Sequence, residues 1–146
     1  MSTLTINSDM SLQEAIGLLR EWFASHKFLR LSVKKGVDRS LSQNSIGHVW
    51  YGQIARELRE DSVLGWRCYC KLHHGVPILR AEDEKFREFY DGSLKLLTYE
   101  KKLKAMEFVP VTSLMTKDQK SAYLVAVQSD FMARGVRLEF PQEAAA

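Results

Sequence analysis

The sequence predicts an α+β fold, a small mixed or antiparallel sheet of short strands with several helices packed on one face. Two features predict it. Residues 28–34 and 136–140 alternate apolar and polar side chains with the period of two that a half-buried strand requires. The longer segments between and around them carry apolar residues at helical spacing behind recognisable N-caps.

Taken in order, Thr3-Leu4-Thr5-Ile6 alternates and predicts a short opening strand. Ser11 and Glu14 form an S-x-x-E capping box, which predicts that a helix begins there. Its apolar positions Leu12, Ala15, Ile16, Leu19, Trp22 and Phe23 fall on one face, predicted to be buried. The strand over residues 28–34 directs Leu29, Leu31 and Val33 to the core and Arg30, Ser32 and Lys34 to solvent. After a turn at Gly36, the run Arg39-Ser40-Leu41-Ser42-Gln43-Asn44 leads into a helix reaching about Glu60. The predicted buried stripe of that helix is Ile46, Val49, Trp50, Ile54 and Leu58; Ser45, His48, Gly52, Arg56 and Arg59 form the opposite, polar and basic stripe.

A short helix is predicted from Gly65-Trp66 to His74, with Gly75 as its left-handed cap. Helical spacing resumes over residues 82–97, weakened by Gly92, and a lysine-rich helix spans roughly residues 98–107. Val109-Pro110-Val111 must be extended or turning, because proline disfavours helix before it. The last helix opens on a second capping box, Thr116 with Gln119, and stops at Gly135. Tyr123-Leu124-Val125-Ala126-Val127 is apolar almost all round, which predicts burial on more than one side and a subunit interface. Val136, Leu138 and Phe140 then form the closing strand. The chain reads as one domain over residues 1–146, with a short tail from about 142.

The net charge of +3 is only mildly basic, so the distribution of charge carries the information. Over residues 27–39, Lys27, Arg30, Lys34, Lys35 and Arg39 face a single acid, Asp38. Acids dominate residues 82–91, and Lys101, Lys102 and Lys104 follow as a second basic cluster. Cys68 and Cys70 stand too close in sequence to form a disulfide framework, and no secretory leader or long apolar run is recognised. These features lead us to expect a cytoplasmic protein.

Catalytic chemistry finds little footing. On a helix, Cys68 and Cys70 point about 200° apart, so with His73 and His74 they offer at most three ligands to one ion. Glu82-Asp83-Glu84 suits the first turn of a helix, where acids complement the dipole, better than a magnesium site. We therefore expect neither catalytic activity nor a cofactor. Single strands are held by a positive groove and by aromatic faces on which bases stack. Arg30, Lys34, Lys35 and Arg39 are the candidate phosphate contacts. His48, Arg56 and Arg59 extend them, and Lys101, Lys102 and Lys104 are secondary. Tyr51 and Trp66 are the candidate stacking residues, whereas Trp50 is assigned to the core.

The run Arg39-Ser40-Leu41-Ser42-Gln43-Asn44, before a helix carrying Trp50, resembles the Arg-Ser-Leu-x-Gln-Asn signature of the phage NinB family, also called Orf. A second block is similar in order and spacing: Thr112-Ser113-Leu114-Met115-Thr116 leads into a helix ending Arg134-Gly135-Val136-Arg137-Leu138. Some members continue past the last strand with a charged tail, whereas this sequence stops soon after Pro141, and residues 76–107 find no match. The resemblance implies a homodimeric recombination mediator that binds single-stranded DNA. It also implies cooperation with single-strand-binding protein and help in loading a strand-annealing or strand-exchange protein. It carries Arg39, Gln43 and Asn44 over as nucleic-acid-binding residues. The same residues also suit a structural role, with Ser40, Ser42 or Asn44 capping the helix and Arg39 tying down the loop. The alternatives are a metal-dependent nuclease acting on recombination intermediates and a protein-binding adaptor using the acidic helix from Glu82.

Overall fold

A computed structural model describes residues 3–34 and 43–140. The helices form where apolar periodicity and N-caps coincide, but no β-strand is present among the described residues, and the α+β expectation is corrected to an all-helical architecture. Helix α1 (Asp9–His26) starts earlier than its sequence suggests. Ser8, not Ser11, is the N-cap, and Ser11 closes the capping box from inside the helix. Helix α2 is Gln43–Glu57, and α3 is Val63–Cys70 behind the Ser62 cap. The last helix, α7 (Lys117–Met132), has the predicted Thr116/Gln119 box, and Gly135 turns the chain at φ 86°.

Gly75 does not end a helix. The backbone passes from α3 through a π-helical turn, Lys71–Gly75, into α4 (Val76–Glu82). Pro77 accounts for the widening. It has no N–H for the carbonyl one turn back, and the backbone instead bonds Val76 N–H to the Lys71 carbonyl, five residues away. Glycine is required at position 75 by close approach: a Cβ there would lie 2.6 Å from Cγ1 of the buried Val111. Asp83 caps α5 (Glu84–Phe89) by accepting the Phe86 N–H at 3.1 Å, the helix-start role expected of the acidic triplet. A second π turn, Tyr90–Leu94, contains Gly92, and α6 (Tyr99–Ala105) starts at the Thr98 cap. A 3-10 turn, Thr112–Leu114, precedes α7.

The core gathers Trp50 and Ile54 of α2, Cys70 of α3, Leu79 of α4 and Met106 after α6 around Val127 and Phe131 of α7. Val136 and Leu138 complete it. The alternation over residues 136–140 therefore correctly predicts which side chains are buried, yet the segment pairs with no strand. Its carbonyls are satisfied by helix side chains and by the N-terminal segment. Gln53 donates to Arg137 O at 2.9 Å, Gln128 to Leu138 O at 2.9 Å, the Trp50 indole to Glu139 O at 3.1 Å, and Asn7 to Phe140 O at 2.7 Å. Buried acceptors need partners, and here side chains replace a ladder.

Residues 28–34 also depart from expectation. They have no regular secondary structure, and both of their faces are open. Leu31 is 64% exposed and Val33 87%, so the face predicted to meet the core does not. Likewise α1 buries only Ser11 and Ala15, leaving Leu12 and Phe23 exposed. A cavity of about 470 Å³ lies between the N-terminal segment, α1 and the Arg137–Glu139 region. Arg137 spans its edge, paired with both carboxylate oxygens of Glu14 and with Glu139 at 2.9 Å. On α2, Tyr51 replaces Val49 in the buried stripe; Val49 is 54% exposed. On α7, Tyr123, Leu124 and Val127 are buried but Val125 is half exposed, so the apolar midsection is covered on one broad side.

Candidate nucleic-acid interface

The start of α2, the middle of α3, residues 110–113 and the first half of α7 converge on a cavity of about 200 Å³. Gln43 fixes the corner. Its amide donates to Lys117 O at 3.2 Å and to Ser121 Oγ at 2.7 Å, fastening the first residue of α2 to the first turns of α7. Asn44, exposed, stands on the rim beside it. The floor is a pair of hydroxyls, Tyr51 and Tyr123, 2.6 Å apart. Burial pushes the Tyr51 phenol up to about 12 and holds that of Tyr123 well above the ordinary value, so both remain protonated donors near neutrality. The pair holds two protons and uses one internally, leaving the other for an oxygen inside the cavity.

Arg67, Lys71 and Lys120 line the walls with His48, Thr112 and Ser113, and no Asp or Glu is among the described lining residues. The cations are not equivalent. Lys71 is buried, and its ammonium donates inward to the carbonyls of Met106 and Val109, the latter at 2.7 Å. Burial, with Arg67 nearby, holds that ammonium below the usual lysine range. Lys71 is therefore committed to the wall, while Arg67 and Lys120 carry the other lysine and arginine charge among the described lining residues. Clefts lined by one sign of charge focus the field of a few charges.

Of the described residues nominated from sequence, Gln43, Asn44, His48 from the basic stripe and Tyr51 line this cavity. Arg30 and Lys34 are exposed on the irregular segment after α1, Arg56 is exposed in the last turn of α2, and Arg59 is exposed beyond it. Lys101 and Lys104 are exposed on α6, and Lys102 is half-buried there. Lys35 and Arg39 lie outside the described residues. The two stacking candidates are corrected. Tyr51 is the buried floor of the cavity, and Trp66 is a core residue whose indole donates to Leu58 O at 3.1 Å. Arg67 and Lys120 are not among the residues the sequence nominates. The usable signal is the i, i+4 spacing of Arg67 on α3 and Lys71 at the start of the π turn, together with Thr112 and Ser113 in the second resemblance block.

Cys68 and Cys70 are both buried thiols; burial pushes both upward in pKa, Cys70 far beyond the ordinary range, and keeps them in the thiol form. Among the described residues, no group of three or more His, Cys, Asp or Glu side chains is placed to hold a metal ion. None of the described helices is long and apolar enough to cross a membrane. The chain matches no family model, no curated protein and no solved structure.

Proposed function

We propose that this chain is a non-catalytic mediator of phage-type DNA recombination that binds single-stranded DNA. The observation that carries this reading is the Arg67/Lys120 cavity without carboxylates, which brings Gln43 and Asn44 of one signature block beside Thr112 and Ser113 of the other. Two segments far apart in sequence, both carrying the same resemblance, thus meet at one cationic concavity. Its amide, hydroxyl and guanidinium donors suit phosphate and sugar oxygens. On this reading the partners are single-strand-binding protein and an annealing or strand-exchange protein in the bacterial cytoplasm.

Fluorescence anisotropy with single- and double-stranded oligonucleotides across a salt series tests it. The protein should prefer the single strand, with affinity falling steeply as salt rises through counterion release. Replacing Arg67 and Lys120 together with alanine should reduce the salt slope by about 2, one for each phosphate no longer neutralised. A folded double variant with an unchanged slope removes the cavity as the site, and absence of single-strand binding at low salt removes the function.

The reading includes a homodimer. Leu12 and Phe23 of α1 and Phe28, Leu31 and Val33 of the irregular segment that follows it lie exposed, at 40%, 54%, 78%, 64% and 87%. A second copy of this surface is the occupant that self-complementary symmetry favours. Sedimentation equilibrium at micromolar concentration should give twice the chain mass, and Phe28→Asp with Leu31→Asp should return it to the monomer. A monomeric parent chain defeats this element of the reading.

A further inference from the structure

The helix that brings Arg67 and Lys71 to the cavity presents a different chemistry on its far side. Tyr69 lies about 200° around from Arg67, and the π turn extends that side through His73. The Tyr69 and His73 rings pack at 4.3 Å with an interplanar angle of 31°. His73 Nε2 then bonds the Tyr99 hydroxyl at 2.7 Å, with the two rings 5.6 Å apart.

The inner end of this ladder is fixed. The Tyr69 hydroxyl donates to Asp130 at 3.1 Å, His74 bonds the same carboxylate oxygen at 2.7 Å, and Arg134 bonds its other oxygen at 3.1 Å. Arg134 also lies over the Tyr69 ring, 5.0 Å from its centre. The outer end is open, for His73 is exposed and Tyr99 is 52% exposed. Tyr99 is the first residue of α6, which carries Lys101 and Lys102.

An exposed tyrosine normally samples several rotamers, and ordering it on binding costs free energy. Here the His73–Tyr99 hydrogen bond and the packing of His73 on Tyr69 hold the outer rings in place before any ligand arrives, which lowers that cost. Aromatic faces beside cations are what a flexible single strand requires, bases on the rings and phosphates on the lysines. We propose that the Tyr69–His73–Tyr99 ladder is a base-stacking platform for single-stranded nucleic acid, with Lys101 and Lys102 engaging the adjoining phosphates. The inference rests on the single-strand reading above and adds a second binding surface, on the side of α3 away from the cavity.

Oligothymidine carrying 2-aminopurine at single positions tests it, with anisotropy for affinity and base fluorescence for stacking. The parent chain should quench the probe at one or more positions. Tyr99→Ala and Tyr99→Leu should abolish that quenching and weaken binding about 5- to 150-fold with the salt slope unchanged, because a stacked base goes and every phosphate stays neutralised. Tyr99→Phe, which retains the ring, should keep quenching and most of the affinity; thermal melts of each variant report its fold. Lys101→Ala with Lys102→Ala should instead lower the slope by about 2. If folded Tyr99→Ala and Tyr99→Leu quench and bind like the parent while Arg67→Ala/Lys120→Ala has a reduced slope, the platform is overturned and the cavity stands. If the parent binds no single strand, both fall.

Discussion

Lys71→Met should destabilise the fold by about 2–4 kcal/mol, read as a lower urea midpoint at unchanged slope. The direction is not obvious, because removing a buried charge often stabilises. Replacing a buried ion pair with apolar residues is neutral or favourable when both partners go. Here the partners are the backbone carbonyls of Met106 and Val109, which no side-chain substitution removes. Methionine keeps most of the stem volume but leaves the buried Met106 carbonyl and the half-buried Val109 carbonyl without a donor, each at about 1–3 kcal/mol, offset in part because no ammonium is then held out of water. Because these carbonyls lie where the chain leaves α6, the loop through Val111 to the cavity should loosen with them. A variant within about 0.5 kcal/mol of the parent would show that water replaces the ammonium, and that Lys71 does not hold this wall together.

The same local-versus-tertiary distinction explains what is legible in the sequence and what is not. Helices α2 and α7 are legible because their signals are local: a stripe at 3.6-residue spacing and, for α7, a capping box whose two halves lie three residues apart. The sheet is a false expectation because alternation reports only which side of an extended segment is buried. Val136 and Leu138 are buried as their period requires, but a ladder needs a partner, about which that pattern contains no information. The actual partners are Gln53, Gln128, Trp50 and Asn7, side chains from three separate segments. For residues 28–34 the same pattern predicts a buried face, yet Leu29, Leu31 and Val33 are exposed among the described residues. The π turn reads as a helix end because His74-Gly75 resembles a C-cap; the deciding facts, Pro77 downstream and Val111 pressing on position 75, include an approach between distant parts of the chain.

The site divides in the same way. Gln43 and Asn44 are legible because their motif is contiguous. Arg67 and Lys120 come from different helices; the Arg67/Lys71 spacing marks one face locally, but no local pattern places Lys120 opposite it. The stacking residues mislead for a related reason. Trp66 and Tyr51 lie off the strongest apolar stripes, yet α2 packs against α3 and α7, the Trp66 ring meets Phe131 of α7, and both rings are enclosed. Tyr69 and Tyr99, the rings at the two ends of the open ladder, meet only through His73 on the widened turn.

Trp50→Ala should cost about 3–5 kcal/mol, the usual range for deleting a fully buried aromatic side chain. Trp50 is 2% exposed, its ring meets Phe140 edge-on at 5.0 Å, and its indole N–H serves the Glu139 carbonyl. Two effects are combined in that number, and Trp50→Phe separates them. Phenylalanine retains an aromatic ring against Phe140 but cannot donate, so about 1–3 kcal/mol should remain from the unserved carbonyl and the smaller volume. The two variants should also differ from an ordinary core deletion in where the structure opens. The segment 136–140 has no strand neighbour, so removing one of its side-chain partners weakens it directly, and Arg137 in that segment is the tie to Glu14 on α1. Amide exchange in Trp50→Phe should therefore rise first over residues 136–140 and next in α1, while α3 and α4 stay protected. Uniform loss of protection across all helices would mean instead that the C-terminal segment is an inseparable part of the core, and that side-chain donors hold it as firmly as a β-ladder would.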